Sequence, residues 1–587
     1  MSRHSANMAL LRTFWRFVRP DSRAFYISLG LMIFNSGMFL LIPIMLQRGL
    51  DRIGDGDQAR LMQTSWLLLA VVVVEYLSKS GFSYLISVVF LRTINRIREH
   101  LFSHVIRMKM AFFDREPVGR LLTRTINDCE SLGETLRAGI ATIFVDILNV
   151  IVVFALMLNL SLELSGVLVI AAPLLWFLVK WCGAKLREIF MIVRKALAEA
   201  NGYMAEGING VEILQLFKQV DWSSERFRAI NADYRRATIV SNVYDATLYA
   251  LIDGIAALVT AAMLFTSFNL RFGLLEVSVV IVCLTLVEKI FVPIRDFSGK
   301  FATIQQALAA LERIFSLIDQ PAHIVQGART LDSDRLDIRF EGVSFKYRED
   351  GPQVLKNVDL AVASGQVTAL VGQTGSGKST IGKLLTRAYD GYTGTIRVGG
   401  IELRDLNYHS LRSKVAVVHQ EVELFPGTLR ENITMFHPEI GEDRIVEAVR
   451  LVKAEHLVAE LPGGLDFPVQ ENGGNLSSGQ MQLIIFARAL AHDAPIILMD
   501  EATSNVDSVT EAWIQEAIFQ IFKHKTVLIV AHRLSTIAAA DKILVLKHGE
   551  VIEEGTHRSL VALKNGYYAR LVHASQLQGG QLENVLV

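Results

Sequence analysis

The sequence is poor in cysteine and carries no excess of charge. Its three cysteines lie far apart without metal-ligand spacing, which excludes a disulfide framework as the basis of the fold: Cys129, Cys182 and Cys283. We expect these thiols to pack as small apolar groups. The formal net charge is +0, so nothing indicates nucleic acid as a ligand. Low-complexity segments and internal repeats are also lacking.

The amino terminus lacks the unbroken apolar core of a cleavable signal peptide. Within the first 20 or so residues, apolar side chains instead recur at helical spacing with arginines between them: Leu10, Leu11, Phe14, Trp15 and Val18. A helix with one apolar and one basic face suits the boundary between membrane and water. The sequence therefore predicts an interfacial helix at this end.

Long apolar runs are abundant in the first half. The 587 residues are 51% hydrophobic, with a mean hydropathy of +0.35, which is too apolar for an ordinary soluble protein and too long for one domain. Six runs approach the roughly 20 residues that a bilayer-spanning helix needs: about 24–47, 64–91, 138–160, 162–182, 245–268 and 274–297. From about residue 335, charges and short strands alternate with helical patterns, as in a soluble α/β domain. The predicted fold is thus a polytopic all-α membrane domain fused to an α/β domain.

Basic residues orient the predicted spans. Arginines and lysines cluster before the first span, between the second and third, and between the fourth and fifth, whereas connections 51–60, 161–163 and 269–276 are poor in them. The positive-inside rule then places both termini, the two long connections and the α/β domain in the cytoplasm. We expect a multi-pass protein of the plasma (cell inner) membrane, in contact with lipid, whose long connections continue the spans as helices.

A phosphate-binding loop opens the α/β domain. It lies between an apolar strand at 367–371 and a helical segment at 381–385, and consists of Gly372, Gln373, Thr374, Gly375, Ser376, Gly377, Lys378, Ser379 and Thr380. The glycines let successive backbone N–H groups point at phosphates. The Lys378 ammonium can reach the β- and γ-phosphates, and the Ser379 hydroxyl can ligate Mg²⁺. The sequence therefore predicts an α/β phosphate-loop domain that binds a nucleoside triphosphate and Mg²⁺.

Two carboxylates follow a second apolar strand. The run 495–499 leads directly into Asp500 and Glu501. A strand-end aspartate holds Mg²⁺ through water in phosphate-loop enzymes, which is the role that we predict for Asp500. Glu501 is placed to polarise the attacking water as a general base.

These elements, in this order, resemble the ATP-binding cassette proteins. Leu476–Ser477–Ser478–Gly479–Gln480 resembles the signature of that family, whose serine, glycine and glutamine would cap ATP bound by a partner. By the same resemblance, Tyr347 stacks on adenine, Gln420 joins Mg²⁺ to the membrane domain, and His532 is the switch histidine. Segment 504–507, with Asp507, resembles the loop that crosses the dimer interface.

Spans followed by one cassette are similar to the half-transporter layout of exporter-type ATP-binding cassette proteins. Segments 112–120 and 206–210 look like the tips of that family's cytoplasmic connections, which press on the cassettes as coupling helices. The resemblance implies ATP-driven export of an amphiphilic small molecule, drug, lipid or peptide by alternating access; an importer or a regulator of another membrane protein is the alternative. We expect a membrane domain at 1–315, a linker at 316–336, a cassette at 337–575 and a tail at 576–587.

Two departures from the family pattern bear on the partner subunit. The signature carries Ser478 where the family has glycine, and Asn472 stands where exporters usually carry arginine. A side chain at 478 crowds a backbone that must approach phosphate. The combination with an intact catalytic set resembles heterodimeric multidrug exporters, in which one subunit's imperfect signature faces a degenerate site. A homodimer with a harmless substitution is the alternative.

Four acidic residues interrupt the apolar runs and provide the only indication of substrate: Glu75, Asp146, Asp253 and Glu288. An ionised group in a span is costly, so a functional role is the default hypothesis. Glu75 can simply pair with Lys79 one helical turn away. Asp146 and Asp253 have no obvious partner in the sequence. An acidic cavity would suit cationic amphiphiles, but structural pairing of these charges is the interpretation that we prefer.

Overall fold

The computed structural model describes residues 3–54, 57–137, 141–269, 277–320, 327–332, 336–420, 422–500, 508–531 and 533–577. Its contacts divide the chain into two compact units. The first comprises Met1–Ile106 and Val118–Gln320, and the second comprises Arg107–Pro117 and Pro321–Val587. The short segment Arg107–Pro117, which follows the second predicted span, therefore groups with the carboxy-terminal unit.

Helices account for the regular structure described in the first unit. In chain order up to the boundary with the second unit, they are α1 (Arg3–Val18), α2 (Ser22–Gly54), α3 (Gln58–Val105), α4 (Met110–Phe113), α5 (Val118–Leu122), α6 (Cys129–Thr135), α7 (Ala141–Leu160), α8 (Leu162–Asn209), α9 (Val211–Leu216), α10 (Val220–Asn269) and α11 (Val277–Ile318). Of these, α4 belongs to the second unit. A single π-helical turn, Thr123–Asp128, joins α5 to α6.

The prediction of six spans is confirmed by length and composition. Six helical segments among the described residues are long and apolar enough to cross a bilayer, and they lie in α1–α2, α3, α7, α8, α10 and α11. Helix α8 has 48 residues, which at about 1.5 Å per residue is roughly twice the thickness of a hydrocarbon core. The long connections therefore do continue the spans as helices, as predicted.

The core of the first unit joins α7, α8, α10 and α11. Buried aliphatic residues from all four helices form one cluster, among them Met157, Leu164, Ile252 and Leu286. All three cysteines are free and buried, and Cys182 and Cys283 belong to this cluster. Their packing as small apolar groups agrees with the prediction.

Two main sheets form the second unit. The strands are β1 (Ile338–Phe345), β2 (Leu355–Val362), β3 (Val367–Val371), β4 (Thr393–Val398), β5 (Ile401–Glu402), β6 (Val415–Val418), β7 (Gly427–Thr428), β8 (Pro468–Val469), β9 (Ile496–Asp500), β10 (Thr526–Val530), β11 (Lys542–Lys547) and β12 (Glu550–Gly555). One sheet has the order β2-β1-β4-β5 and is antiparallel, while the other has the order β12-β11-β3-β10-β9-β6. In the latter, β11, β3, β10, β9 and β6 are parallel, and β12 is antiparallel. Strands β7 and β8 pair separately.

Helices complete the α/β unit. They are α12 (Lys378–Leu385), α13 (Tyr408–Lys414), α14 (Leu429–Thr434), α15 (Glu442–Leu451), α16 (Glu455–Glu460), α17 (Ser478–Ala491), α18 (Ser508–His524), α19 (Leu534–Ala538), α20 (His557–Val561) and α21 (Tyr567–Leu577). Strands β3 and β10 are buried along their whole length, which explains their continuous apolar sequence, since parallel strands are covered on both faces. Helix α12 follows β3, so the predicted strand–loop–helix context of the phosphate loop is confirmed.

Candidate nucleotide site

Close backbone packing shapes the phosphate loop between β3 and α12. Gly375 and Gly377 have φ angles of +80° and +101°, a region that favours glycine. A Cβ atom on Gly372 would lie 2.2 Å from the carbonyl oxygen of Leu546, and one on Gly377 would lie 2.6 Å from a methyl group of Leu355. The loop conformation therefore depends on glycine at these positions, which leaves its backbone N–H groups open to a phosphate.

Lys378 places a cation at the centre of this loop. Its ammonium donates hydrogen bonds to the carbonyl oxygens of Gly372 at 2.6 Å and Gln373 at 3.0 Å, and the residue is only 7% exposed. Burial lowers the pKa of Lys378, and the nearby charge of Asp500 acts in the opposite direction. A buried ammonium held by neutral carbonyls is suited to exchange those partners for anionic phosphate oxygens.

Two of the predicted metal ligands are neighbours. The Ser379 hydroxyl donates to Asp500 Oδ2 across 3.3 Å, although 121 residues separate the two in the chain. Mg²⁺ binds oxygen at about 2.0–2.1 Å with octahedral geometry, so adjacent ligands of one ion lie about 3 Å apart. The pair therefore leaves room for a Mg²⁺ ion that the Ser379 hydroxyl would bind directly and the Asp500 carboxylate would hold through water. Gln420, the third predicted ligand, lies exposed two residues after β6.

A cavity of about 280 Å³ extends from these groups within the second unit. Lys378, Ser379 and Asp500 line it on one side, and His419 and Met110 contribute elsewhere. Met110 was not predicted as part of the site. No signal in the sequence singles it out, because only the fold brings α4 to the phosphate-loop helix.

Tyr347 lies beside the phosphate-loop helix. Its hydroxyl is 3.0 Å from the Thr380 hydroxyl, and its ring meets those of Phe345 and Tyr389 edge-to-face, each at 5.0 Å. The ring remains partly exposed and the Lys383 ammonium lies 5.5 Å from its centroid. Stacking on adenine stays a prediction, and the hydrogen bond to Thr380 connects this residue to the phosphate loop.

The signature residues form the start of α17. Ser477 is the N-cap: its hydroxyl accepts from the backbone N–H of Gln480, and the Gln480 side chain accepts from the backbone N–H of Ser477. This capping box holds both side chains in place. Ser477 and Ser478 are exposed, whereas Gly479 is buried. The segment thus presents its hydroxyl-bearing residues on the surface.

Asn472 has a conformation that explains its residue type. Its φ and ψ angles are 54° and 21°, in the left-handed region that asparagine tolerates better than most other residues. Gly473 follows with φ of +70°, and a Cβ atom there would lie 2.5 Å from the sulfur of Met481. Local backbone geometry therefore favours asparagine at 472, whatever the partner subunit is.

The remaining predicted site residues lie outside the described residues: Glu501, the 504–507 segment with Asp507, and His532. Their flanking strands are described, however. Val530 at the end of β10 pairs in register with Asp500 at the end of β9 and with Leu370 in β3. Carboxyl ends of parallel strands meet at one edge of a sheet, which is where ligands bind in such folds.

Asp146 and Asp253, for which the sequence offers no obvious partner, both take part in interactions in the structure. Arg295 Nη1 lies 3.6 Å from Asp253 Oδ1, and Asp146 also takes part in an interaction. The sequence could not show the first pair because α10 and α11 meet only in the fold. Glu75 accepts a hydrogen bond from the Asn35 amide at 3.3 Å. The Arg295 guanidinium offsets the negative charge of Asp253, so a cavity at these helices would be less acidic than the sequence suggests.

Comparison with known proteins agrees with this architecture. The chain matches the family model of the ABC transporter transmembrane region over residues 25–294 and that of the ABC transporter over residues 355–504. It is 32% identical to the "Uncharacterized ABC transporter ATP-binding protein YknV" of Bacillus subtilis (strain 168), over 95% of this chain and 94% of that protein. It is 31% identical to an "ATP-dependent lipid A-core flippase" of Salmonella typhimurium (strain LT2), over 97% and 98% of the two chains.

A solved structure extends the similarity to the whole fold. The ATP-bound structure of a bacterial Atm1-family ABC exporter has a TM-score of 0.77 and 25% sequence identity, covering 94% of this chain and 98% of that one. Both halves of the chain, and their fusion, are therefore accounted for by one family. The protein belongs to the exporter-type ATP-binding cassette transporters, as a half-transporter whose ATPase domain hydrolyses ATP to drive transport.

Proposed function

We propose that this protein exports an amphiphilic small molecule, drug, lipid or peptide by alternating access, as one subunit of a dimer. The observation that carries the proposal is the Ser379–Asp500 pair beside the Lys378 ammonium, in a chain whose described residues also form six apolar helices of spanning length. A lipid A-core flippase is among its relatives, which supports a lipid-like substrate.

The proposed nucleotide chemistry assigns each group one role. The phosphate loop and Lys378 bind the phosphates of ATP, and Tyr347 stacks on its adenine. Ser379, Gln420 and Asp500 hold Mg²⁺, which neutralises charge on the phosphates when bound. Glu501 orients and deprotonates the attacking water, while His532 contacts the γ-phosphate and Asp507 lies at the dimer interface.

A partner subunit completes each site in this proposal. The exposed Ser477, with Gly479 and Gln480, would cap the γ-phosphate of ATP bound to the facing cassette. ATP then stabilises the closed pair and hydrolysis releases it, so the nucleotide shifts the population between two states of the dimer. Cassette closure would turn the membrane cavity from inward-facing to outward-facing.

Charged groups in the spans support a polar path for the substrate. The Asp253 side chain is 61% exposed and its partner Arg295 is 32% exposed, although both belong to helices rich in apolar residues. Exposed charges are costly against lipid tails, so this surface would face a water-filled cavity or a second subunit. A surface with charges of both signs suits an amphiphile with a polar head better than a purely cationic compound.

The heterodimer remains our preferred assembly, on the evidence of Ser478 alone. The backbone geometry of Asn472 explains that residue without a degenerate partner site. In a heterodimer, Ser477→Ala should alter mainly the slow site and change turnover little. In a homodimer it should damage both sites and remove most of the activity. Vigorous, transport-coupled hydrolysis by a stable dimer of this chain alone would rule out the heterodimer.

We place the protein in the plasma (cell inner) membrane with both termini and the ATPase domain in the cytoplasm, and we propose domain limits at 1–315, 316–336, 337–575 and 576–587. The decisive experiment uses membrane vesicles of known orientation, loaded with a fluorescent lipid or an amphiphilic dye. ATP-dependent movement away from the cassette side supports export. Movement towards that side, or ATP hydrolysis without movement of any substrate tried, favours the importer or the regulator.

A further inference from the structure

An arginine is buried directly behind the phosphate-loop helix. Arg387 follows α12 by two residues and is only 2% exposed. It has a φ of +52°, which is uncommon for a residue with a long side chain. A buried guanidinium needs partners for its charge and its donors, because leaving it unpaired is strongly destabilising.

The Arg387 guanidinium donates hydrogen bonds to a carboxylate and to a backbone carbonyl of the second unit. Its Nε donates to Asp390 Oδ1 at 3.1 Å, and its Nη1 donates to the carbonyl oxygen of Leu406 at 3.0 Å. Asp390 is the countercharge, and its side chain remains 26% exposed. The carboxylate can therefore serve a second cation through its other oxygen.

That second cation is Lys109. Its ammonium lies 3.9 Å from Asp390 Oδ2, and it is the N-cap residue of α4. The next two residues also contact the nucleotide-binding unit. Met110 lines the cavity shared with Lys378 and Ser379, and Ala111 packs against the apolar core that contains Leu384. Segment 107–117 thus contacts the nucleotide-binding part of the unit at two places. Met110 lines the cavity beside Lys378, and Lys109 pairs with Asp390, which follows α12.

The Leu406 carbonyl connects Arg387 to another segment. It also accepts a hydrogen bond from the backbone N–H of Gly327 at 3.2 Å, and Asn407 donates to the carbonyl of Arg329 at 2.7 Å. A Cβ atom on Gly327 would lie 2.0 Å from the Asp405 carbonyl, so the contact is close. Residues 327–329 come soon after α11 in the chain, as 107–117 comes soon after α3.

We propose that Arg387 and Asp390 are positioning residues that couple nucleotide binding to segment 107–117. The inference rests on the proposed function, because it assumes that ATP binds at Lys378 and Ser379. Helix α12 has eight residues, so it spans only about 12 Å between the phosphate loop and Arg387. A shift of α12 on binding phosphate would reach Asp390 and change its contact with Lys109. Neither Arg387 nor Asp390 is among the residues that line the cavity at Lys378 and Ser379.

Backbone amides in this segment provide a direct readout. The N–H groups of Phe112, Asp114, Arg115 and Glu116 donate to carbonyls of Lys109, Met110 and Phe112, so their hydrogen exchange reports the stability of α4. We suggest exchange mass spectrometry on the full-length transporter in lipid nanodiscs, with any copurifying subunit retained, with and without ATP, Mg²⁺ and vanadate. The same samples are assayed for affinity for a fluorescent ATP analogue and for ATP hydrolysis.

In the wild type, nucleotide should change the exchange rate of these amides by about tenfold, a common size for coupling between sites. Asp390→Asn should bind nucleotide with an affinity within about twofold of the wild type but reduce the exchange response to less than about twofold. Lys109→Met should have the same effect without disturbing the partners of Arg387, which guards against a folding defect. Asp337→Asn is the matched control, since it breaks a 2.9 Å pair with Arg339 at the surface of the same unit.

The outcomes separate the two proposals. An unchanged response in both Asp390→Asn and Lys109→Met, or a wild type whose segment ignores bound nucleotide, would overturn the inference. A loss of response in Asp337→Asn as well would also count against it. A wild type that binds ATP without hydrolysing it contradicts the proposed function alone, because the exchange measurement needs only binding and still decides the inference.

Discussion

Arg313 and Asp128 form a bidentate ion pair in the first unit. Arg313 Nε donates to Asp128 Oδ2 at 2.8 Å and Nη2 donates to Oδ1 at 2.7 Å. The pair fastens α11 to the π-helical turn before α6, across 185 positions of sequence. Parallel hydrogen bonds of this kind are among the stronger polar contacts in proteins, and π-helical turns are frequent at functional sites.

Asp128→Asn should lower the thermal stability of the protein. Asp128 is buried while Arg313 is half exposed, so solvent screens part of the interaction and we expect a loss near the lower end of about 1–3 kcal/mol. Thermal unfolding in detergent measures it. Asp233→Asn, which removes an exposed pair with Arg236, should have little effect. Equal melting temperatures for the two variants would contradict this expectation.

Glu501→Gln should nearly abolish ATP turnover while ATP binding persists. The amide keeps the size of the side chain but cannot accept the proton of the attacking water. Steady-state hydrolysis and nucleotide affinity should be measured on the same preparation. Turnover within about threefold of the wild type would show that Glu501 is not the base.

Lys378→Ala should weaken ATP binding itself. It removes a buried cation that the loop holds at 2.6 Å from a carbonyl of its own backbone, and with it the charge-assisted contacts to phosphate. Lys383→Ala, which alters a lysine on the same helix, is the control and should bind ATP more strongly than Lys378→Ala. Unchanged affinity in Lys378→Ala would remove the assignment of the phosphate loop.

Asp253→Asn should change transport, or the stimulation of hydrolysis by substrate, while basal hydrolysis stays largely intact. The variant removes the Asp253 charge from beside Arg295, whose guanidinium lies 5.6 Å from the centroid of the Tyr249 ring. We therefore expect weaker transport of cationic amphiphiles and stronger transport of anionic ones. Transport by Asp146→Asn, which removes an acidic group from α7, should be measured alongside that of Asp253→Asn in α10. Identical transport of both kinds of dye by the wild type and both variants would exclude the predicted cavity.

Cys129 should resist alkylation until the protein unfolds. Burial raises the pKa of its thiol to about 11, with Arg98 acting in the opposite direction. At pH 8, Cys129 is then a reactive thiolate in only about one in a thousand folded molecules. In the unfolded protein the thiol has its ordinary pKa, so the thiolate fraction is far larger. Labelling by iodoacetamide should rise about tenfold per pH unit between pH 8 and pH 10. Rapid labelling of Cys129 at pH 8 in the folded protein would contradict its burial.

Much of the architecture follows from the sequence because its signals are local. Six apolar runs encode six helices of spanning length, since hydrophobicity and length alone decide whether a segment suits a bilayer. The phosphate loop is equally local, because Lys378 and Ser379 directly follow the glycines that shape the turn. Family membership could be predicted for the same reason, since the motifs come in a set order along the chain.

Tertiary structure alone decided which distant groups meet. Asp253 has no obvious partner in the sequence, yet packing of α10 on α11 places Arg295 beside it. The pairs of Arg313 with Asp128 and of Lys109 with Asp390 likewise join segments far apart in sequence. Hydrophobic periodicity specifies which face of a helix is buried, but it carries no information about which other element covers that face. The Ser379–Asp500 distance is also a product of β-strand register, because only the parallel pairing of the sheet brings the ends of β3 and β9 to one edge.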